Sequence, residues 1–268
     1  MEILGYLGAI LMGLSLGLIG GGGSILTVPI LVYLFSIDAV LATAYSLFIV
    51  GFTSLIGSFS HMRLGNIHWL TAIVFGIPSI LAVYATRAFL VPALPDPLFN
   101  LGDVAVSKSL GMLILFALLM VAAAYSMIRK PRTKANSPEG GEVSFNYPLI
   151  LAEGAVVGTI TGLVGAGGGF LIIPALVLLA KLPMKQAVGT SLIIIAAKSL
   201  IGFTGDLKGD TLIDWNFLLV FSAIAVVGII AGSLLSKRIP NEKLKPAFGW
   251  FVLIMGVYII AKEFSKLG

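Results

Sequence analysis

Long apolar stretches with little polar interruption organise this chain. Each is long enough to cross roughly 30 Å of hydrocarbon as a helix. None alternates apolar and polar residues with a period of two, which a membrane β-barrel would require. The pattern therefore predicts a membrane protein built from helices. The six clearest windows are 39–60, 67–90, 106–128, 184–204, 215–236 and 245–264.

Composition strengthens this interpretation and narrows the chemistry. The 268 residues are 58% hydrophobic and only 11% charged, with a mean hydropathy of +1.07, which is typical of integral membrane proteins. The first residues lack a basic leader region, so the first apolar segment is expected to be a retained helix. The chain has no Cys and only two His residues, so neither a metal nor another cofactor is expected. Its net charge of +5 is expected to orient the chain in a lipid bilayer, with no nucleic-acid partner.

A shift of 145 residues reveals an internal repeat. The stretch "GLSLGLIGGGGSILTVPILVYL" at 13–34 aligns with "GTITGLVGAGGGFLIIPALVLL" at 158–179. Without a gap, 19 of the 45 positions from 13 to 57 are identical to their partners. After a one-residue shift, Trp69 pairs with Trp215. The chain is therefore a tandem duplication.

Each half contains five apolar segments, A to E. An odd number of crossings would insert the second half upside down relative to the first, as in many secondary transporters. We divide the chain into a first repeat at 1–128, a cytoplasmic linker at 129–146 and a second repeat at 147–268. The segments are A (3–19, 147–164), B (24–36, 169–180), C (39–60, 184–204), D (67–90, 215–236) and E (106–128, 245–264).

Loop charges give this arrangement a direction. The linker carries Arg129, Lys130, Arg132 and Lys134, which places it in the cytoplasm because cytoplasmic loops are enriched in basic residues. Alternation then puts both termini and the acidic loops at 91–105 and 205–214 outside. Arg87 is among the few basic residues on the wrong side of this scheme.

A glycine-rich stretch separates segments A and B in both halves. Segment B has about a dozen residues, or roughly 18 Å of helix, which is too short for comfortable crossing. Segments A and B form either a re-entrant or broken pair or two full crossings. Glycine permits positive φ, and the helix that follows presents free N–H groups and its positive dipole end, an arrangement that binds anions. The alternative is a purely structural turn. The predicted anion-binding residues are Gly20, Gly21, Gly22, Gly23, Ser24, Gly165, Gly167, Gly168 and Gly169.

Other glycines and several polar residues lie inside the apolar segments. Gly13, Gly17, Gly158 and Gly162 fit the small-residue spacing of close helix packing. A Lys in an apolar run is costly, so it indicates either a functional site or a snorkelling side chain. Glu153 is a candidate for proton coupling or a solvated residue near a helix end. For Thr190 the favoured alternative is a contact with local backbone or a neighbouring helix. The substrate-site candidates on segment C are Ser46, Thr190, Ser191 and Lys198.

The duplicated motifs resemble those of the TauE/SafE family of sulfite exporters. The resemblance rests on "GLIGGGGSILTVPIL", "GLVGAGGGFLIIPAL" and "AVGTSL", with "GNIHW" and "DTLIDW" opening segment D. The "ATAYSL" at 42–47 departs from its partner because it lacks Gly-Thr. The resemblance implies a permease that exports sulfite or organosulfonate anions across the cell membrane of a prokaryote.

The sequence thus predicts an all-α polytopic membrane protein. It has two inverted-topology repeats of about five segments each, with Gly-tipped re-entrant or broken helices. The predicted partners are a small anionic substrate and the lipid bilayer, and the sequence is also compatible with a homo-oligomer. An anion channel and a membrane enzyme are the alternative functions. The enzyme is disfavoured by the lack of clustered His and carboxylate residues.

Overall fold

Helices make up nearly all of this structure, a computed structural model that describes residues 2–101, 104–128, 147–178, 180–207, 213–235 and 241–265. The predicted linker at 129–146 lies outside the described residues. The helices are α1 (Glu2–Ile19), α2 (Thr27–Leu34), α3 (Ala39–Arg63), α4 (Trp69–Ala85), α5 (Val91–Ala93), α6 (Lys108–Ile128), α7 (Tyr147–Val164), α8 (Gly169–Leu178), α9 (Met184–Asp206), α10 (Trp215–Leu235) and α11 (Asn241–Ser265).

Shorter elements connect some of these helices. A 3₁₀ turn at Gly22–Leu26 leads into α2, and a π-helical turn at Thr86–Leu90 joins α4 to α5. A small hairpin that the apolar pattern did not predict lies before α6. It pairs β1 (Phe99–Leu101) with β2 (Val104–Val106) in antiparallel register.

The all-α, multi-pass membrane class is confirmed. Within the described ranges, six helical spans are long and apolar enough to cross a membrane. They correspond to the predicted segments A, C, D and E of the first half and C and D of the second, with ends that differ by a few residues. Many large apolar side chains point outward, including Ile3, Leu81 and Ile254, as expected for a surface that faces lipid.

Helices α3 and α9, which are the C segments of the two halves, cross in antiparallel directions at the centre. Gly51 of α3 contacts Leu200 of α9. Gly57 lies later in α3, yet it approaches Leu192, which lies earlier in α9. An inverted duplication would bring equivalent helices together in this orientation.

Each A helix packs in parallel against the D helix of the opposite half. Gly13 and Gly17 of α1 lie against the backbone of Ala225 and Gly232 in α10. In the same way, Gly158 and Gly162 of α7 lie against α4 and the π-helical turn that continues it. Because no side chain separates the backbones, these helices approach closely. The predicted packing role of these four glycines is confirmed.

The chain reverses direction between α1 and α2. Gly5, near the start of α1, contacts the ring of Phe35 just after α2. Gly8 contacts Ile30, and Gly23 in the turn contacts Leu16 near the end of α1. Segments A and B of the first half therefore form a hairpin that enters and leaves at the same end, with the glycines at its tip.

Backbone details recur at the 145-residue spacing. Ser36 and Lys181 are equivalent, and both have positive φ, at 56° and 50°. In each half the next residue donates its N–H to a carbonyl six residues earlier. These bonds join Ile37 to Leu31 and Leu182 to Leu176, both at 3.1 Å. The two halves thus leave segment B through the same local turn.

Candidate functional site

The two glycine-rich tips meet in the interior of the protein. Gly21 of the first tip lies against the backbone of Gly169 at the start of α8. Residues 20–26 and 165–170 are all buried. The tips of the two halves are therefore in direct contact, although they lie far apart in the sequence.

Within the first tip, glycine makes the reversal possible. Gly20 has a φ of +81°, which L side chains rarely adopt. The chain then enters the 3₁₀ turn that begins at Gly22. Ser24 is fully buried, and its hydroxyl donates to the carbonyl of Gly21 at 2.7 Å. In this state the Ser24 hydroxyl proton therefore stabilises the turn.

The second tip has more residues with positive φ than the first. Gly165, Gly167 and Gly168 all have positive φ, between 63° and 72°. The Gly165 N–H donates to the Thr161 carbonyl at 2.8 Å, and the Gly168 N–H donates to the Ala166 carbonyl at 2.6 Å. Two of the predicted amide donors are therefore already engaged inside the turn.

Lys198 lies directly beside the second tip. Its side chain is fully buried, and its Nζ donates to Thr161 Oγ1 at 2.8 Å. The same Nζ is the atom that a methyl group on Gly168 would approach at 2.8 Å. Among the described residues, no carboxylate lies within 4.0 Å of this ammonium. Lys198 thus faces the protein interior and not lipid, so its side chain does not snorkel to the membrane surface.

The equivalent position in the first half carries Thr53 in place of a lysine. Thr53 is also fully buried. Its hydroxyl has no hydrogen-bond partner in the described part of the chain. Of these two equivalent buried positions, 53 and 198, only position 198 therefore carries a basic side chain.

Thr190 and Ser191 use their hydroxyls in other contacts. Thr190 Oγ1 accepts the His68 N–H at 2.9 Å, where α4 begins. Its repeat partner Tyr45 accepts the Asp214 N–H at 2.7 Å, where α10 begins. Ser191 donates to the Val188 carbonyl at 2.8 Å, within its own helix. In this structure these side chains hold the start of the opposite D helix or their own backbone.

Ser46 and Glu153 are placed differently. Ser46 is fully buried, and its hydroxyl has no hydrogen-bond partner among the residues described. Glu153 is half-buried near the start of α7. It precedes Gly165 by twelve residues, or about 18 Å along a helix. The structure does not bring Glu153 to the tips.

A buried ion pair was missed by sequence reasoning. Arg87 Nη2 lies 2.7 Å from Asp206 Oδ1, and the Arg87 side chain is fully buried. By its charge alone, Arg87 is only an exception to the predicted loop topology. Its position inside the apolar run "VYATRAFL" was the available signal, because an ionisable residue inside an apolar segment indicates a functional or paired group.

Comparisons with known proteins match this chain over nearly its full length. The model of the family described as "Sulfite exporter TauE/SafE" matches residues 6–259. A "Probable membrane transporter protein" of Xylella fastidiosa is 28% identical over 267 residues, covering 96% of this chain and 94% of the relative. The "Probable membrane transporter protein MJ0441" of Methanocaldococcus jannaschii is 30% identical over 269 residues, covering 94% of both chains. No solved structure matches.

Proposed function

Because this chain belongs to the TauE/SafE sulfite exporter family and is a multi-pass membrane transporter, we propose that it carries small sulfur oxyanions. Sulfite and organosulfonates are the proposed substrates, and export by alternating access is the proposed mechanism. One observation carries the proposal. Lys198 is a fully buried cation beside a glycine tip, and no described carboxylate balances it.

Electrostatics favours an anion at this position. An ammonium inside the hydrocarbon region costs at least about 2.5 kcal/mol on insertion scales. Its hydrogen bond to Thr161 satisfies one N–H but supplies no negative charge. A bound oxyanion would supply both the missing charge and further hydrogen-bond acceptors.

The neighbouring backbone adds a second source of attraction. Helix α8 begins at Gly169, so its first N–H groups and positive dipole end lie at the tip beside Lys198. The N–H groups of Gly165 and Gly168 are engaged, and those of Leu171 and Ile172 donate to the Gly168 carbonyl. We therefore assign the anion contacts to the N–H groups of Gly167, Gly169 and Phe170. Neutral donors around a single lysine hold a small anion yet still allow its release.

The first tip and the buried hydroxyls complete the proposed path. We assign Gly20 to Gly23 and Ser24 to the opposite wall of the site, and Ser46 to a hydroxyl that a moving substrate would reach. For Thr190 and Ser191, contact with the substrate would require them to leave their present partners. Glu153 lies near the start of α7, away from the tips, and is proposed as a residue that exchanges protons there.

Alternating access follows from an inverted arrangement of the halves. The antiparallel crossing of α3 and α9 supports a pseudo-two-fold axis in the membrane plane. The contact between Gly21 and Gly169 is the proposed barrier between the two sides of the membrane. Movement of one hairpin away from the other would open the site to one side at a time.

Counterflow in proteoliposomes tests this function. Proteoliposomes that contain the wild-type protein and are loaded with unlabelled sulfite should take up labelled sulfite with saturable kinetics. A channel would show flux without counterflow. Lys198→Met should reduce this uptake by at least about tenfold, a loss of roughly 1.4 kcal/mol of binding. Lys185→Met is the matched control, because Lys185 is an exposed lysine on the same helix. Normal counterflow by Lys198→Met would refute the site.

A further inference from the structure

The Arg87–Asp206 pair joins the outer part of segment D to the end of α9. Arg87 Nε donates to Asp206 Oδ2 at 2.8 Å, and Nη2 lies 2.7 Å from Oδ1. The Nε contact is a hydrogen bond, whereas Nη2 approaches the carboxylate as an ion pair and has no hydrogen-bond partner among the described residues. Asp206 retains 13% side-chain exposure, whereas the Arg87 side chain has none. The carboxylate is therefore the member of the pair that can reach solvent.

Arg87 also reaches the helical turn that leads into the second glycine tip. Its Nη1 donates to the Gly162 carbonyl at 3.2 Å and to Thr43 Oγ1 at 2.9 Å. Thr43 in turn lies against Gly165. The neighbour of Gly162 in the chain is Thr161, which binds Lys198. Both buried cations therefore contact the same turn of α7.

The repeat-equivalent positions in the other half do not carry an Arg–Asp pair. At the 145-residue spacing, Asp206 corresponds to His61. With the one-residue shift that aligns Trp69 and Trp215, Arg87 corresponds to Ser233. The equivalent helices pack in the same way without an Arg–Asp pair at these positions. The packing itself therefore does not require the pair. A buried ion pair is also weak as a source of stability, because desolvation offsets its attraction.

The backbone around Arg87 departs from regular helix. Arg87 lies in the π-helical turn Thr86–Leu90, and Gly205 lies against Arg87 Cβ. Single π-helical turns inside helices often occur at functional sites. Here the wider turn carries the guanidinium that contacts both α7 and Asp206.

We propose that Arg87 is a second binding residue for the transported oxyanion, and that Asp206 is a tethered competitor occupying its guanidinium until substrate arrives. This inference rests on the function proposed above. The ligand class is an oxyanion that presents two oxygens on one side, as sulfite and sulfonates do, because two such oxygens would match Nε and the Nη2 that now lacks a hydrogen bond.

Exchange between the two anions would keep the cation paired throughout. An unpaired buried charge is strongly destabilising, so a substrate bound to Arg87 alone would leave slowly. When Asp206 returns as the anion departs, the guanidinium is never left without a partner. No covalent bond changes, and the step is an exchange of one oxyanion for another.

Asp206→Asn tests the competitor role directly. With a neutral amide in place of the carboxylate, the purified full chain should bind sulfite about tenfold or more tightly, since a charged competitor is lost. The same variant should show slower counterflow, because release is no longer assisted. Asp214→Asn, which changes an exposed carboxylate shortly after α9, should bind and transport like wild type. Unchanged or weaker sulfite binding by folded Asp206→Asn would overturn the proposal.

A double variant covers the case in which Asp206→Asn does not fold. Arg87→Gln with Asp206→Asn removes both charges, so no unpaired charge stays buried. It should elute as a single species and bind sulfite about tenfold more weakly than wild type, since one charged contact is lost. Wild-type affinity in this double variant would refute a binding role for Arg87.

Lys198→Met separates the two proposals. If it loses sulfite binding while both Asp206 variants bind like wild type, the inference about Arg87 fails and the proposed function stands. If the wild-type chain binds neither sulfite nor an organosulfonate such as sulfoacetate, or Lys198→Met binds both normally, the proposed function fails, and this inference fails with it.

Discussion

Gly21 and Gly169 lie backbone to backbone where the two glycine tips meet, and a side chain on either one would collide with the other. Gly169 is the first residue of α8, so this contact sets how closely the first tip approaches the second helix. It also links residues 148 positions apart in the chain.

Gly21→Ala should therefore separate the tips. The added methyl group would meet the Gly169 backbone, and overpacking of this kind costs about 1–3 kcal/mol. We expect a lower melting temperature in detergent and loss of counterflow. Gly76→Ala is the control, since Gly76 lies inside α4 and a methyl group there meets only Ile194 at 3.9 Å. Equal melting temperatures and equal counterflow for the two variants would show that the tips can accommodate a methyl group.

Positive φ makes Gly167 a separate test of the anion contact. Gly167 has a φ of +63°, and an L residue in this region costs roughly 1–2 kcal/mol. Gly167→Ala should weaken sulfite binding about tenfold, measured by calorimetry on folded protein. Gly22→Ala places a methyl group at the repeat-equivalent position of the first tip, where the residue lies in the 3₁₀ turn and φ is not positive. If both variants bind sulfite like wild type, the glycines form only a turn.

Gly65→Ala is the matched control for these measurements. Gly65 also has positive φ, at 67°, but a methyl group there meets nothing within 4 Å. It reports backbone strain without any contact at the tips. Gly13 would be a poor packing control, because it lies against the Ala225 carbonyl and its substitution would disturb α1 and α10.

The sequence predicted the parts of this fold that depend on local chemistry. Apolar windows located the helices, and the repeated glycines located both tips, because positive φ and close backbone approach leave few other residue choices. Lys198 stood out because a charge in an apolar run is expensive. Each of these signals is contained in a short stretch of chain.

What the sequence did not predict depends on partners distant in the chain. Arg87 and Asp206 are 119 positions apart, and each alone looked like a loop charge. For Thr190 a contact with a neighbouring helix was anticipated, but its particular partner, the N–H of His68, was not. Pairings of this kind arise from the packing of whole helices, which a single sequence read segment by segment does not reveal.

Sidedness of the two hairpins can be measured in intact cells, because the chain contains no cysteine. Ser36 and Lys181 are equivalent exposed residues at the ends of the two B segments. The loop charges and the inverted repeat predict Ser36 outside and Lys181 inside. A membrane-impermeant maleimide should therefore label Ser36→Cys in whole cells and Lys181→Cys only after lysis. Labelling of both from one side would contradict the inverted topology.

Thr161 offers the most direct test of how Lys198 is held. Thr161→Val keeps the shape of the side chain but removes the hydroxyl that accepts from Nζ at 2.8 Å. Leaving a buried charged donor unsatisfied costs about 1–3 kcal/mol or more, so the melting temperature without substrate should fall. Bound sulfite would offer Nζ a new acceptor, so saturating sulfite should raise the melting temperature of Thr161→Val more than that of wild type. Thr159→Val is the control, because Thr159 lies on the same helix and donates only to the Ala155 carbonyl, at 3.0 Å. If sulfite stabilises Thr161→Val no more than Thr159→Val, the anion does not bind at Lys198.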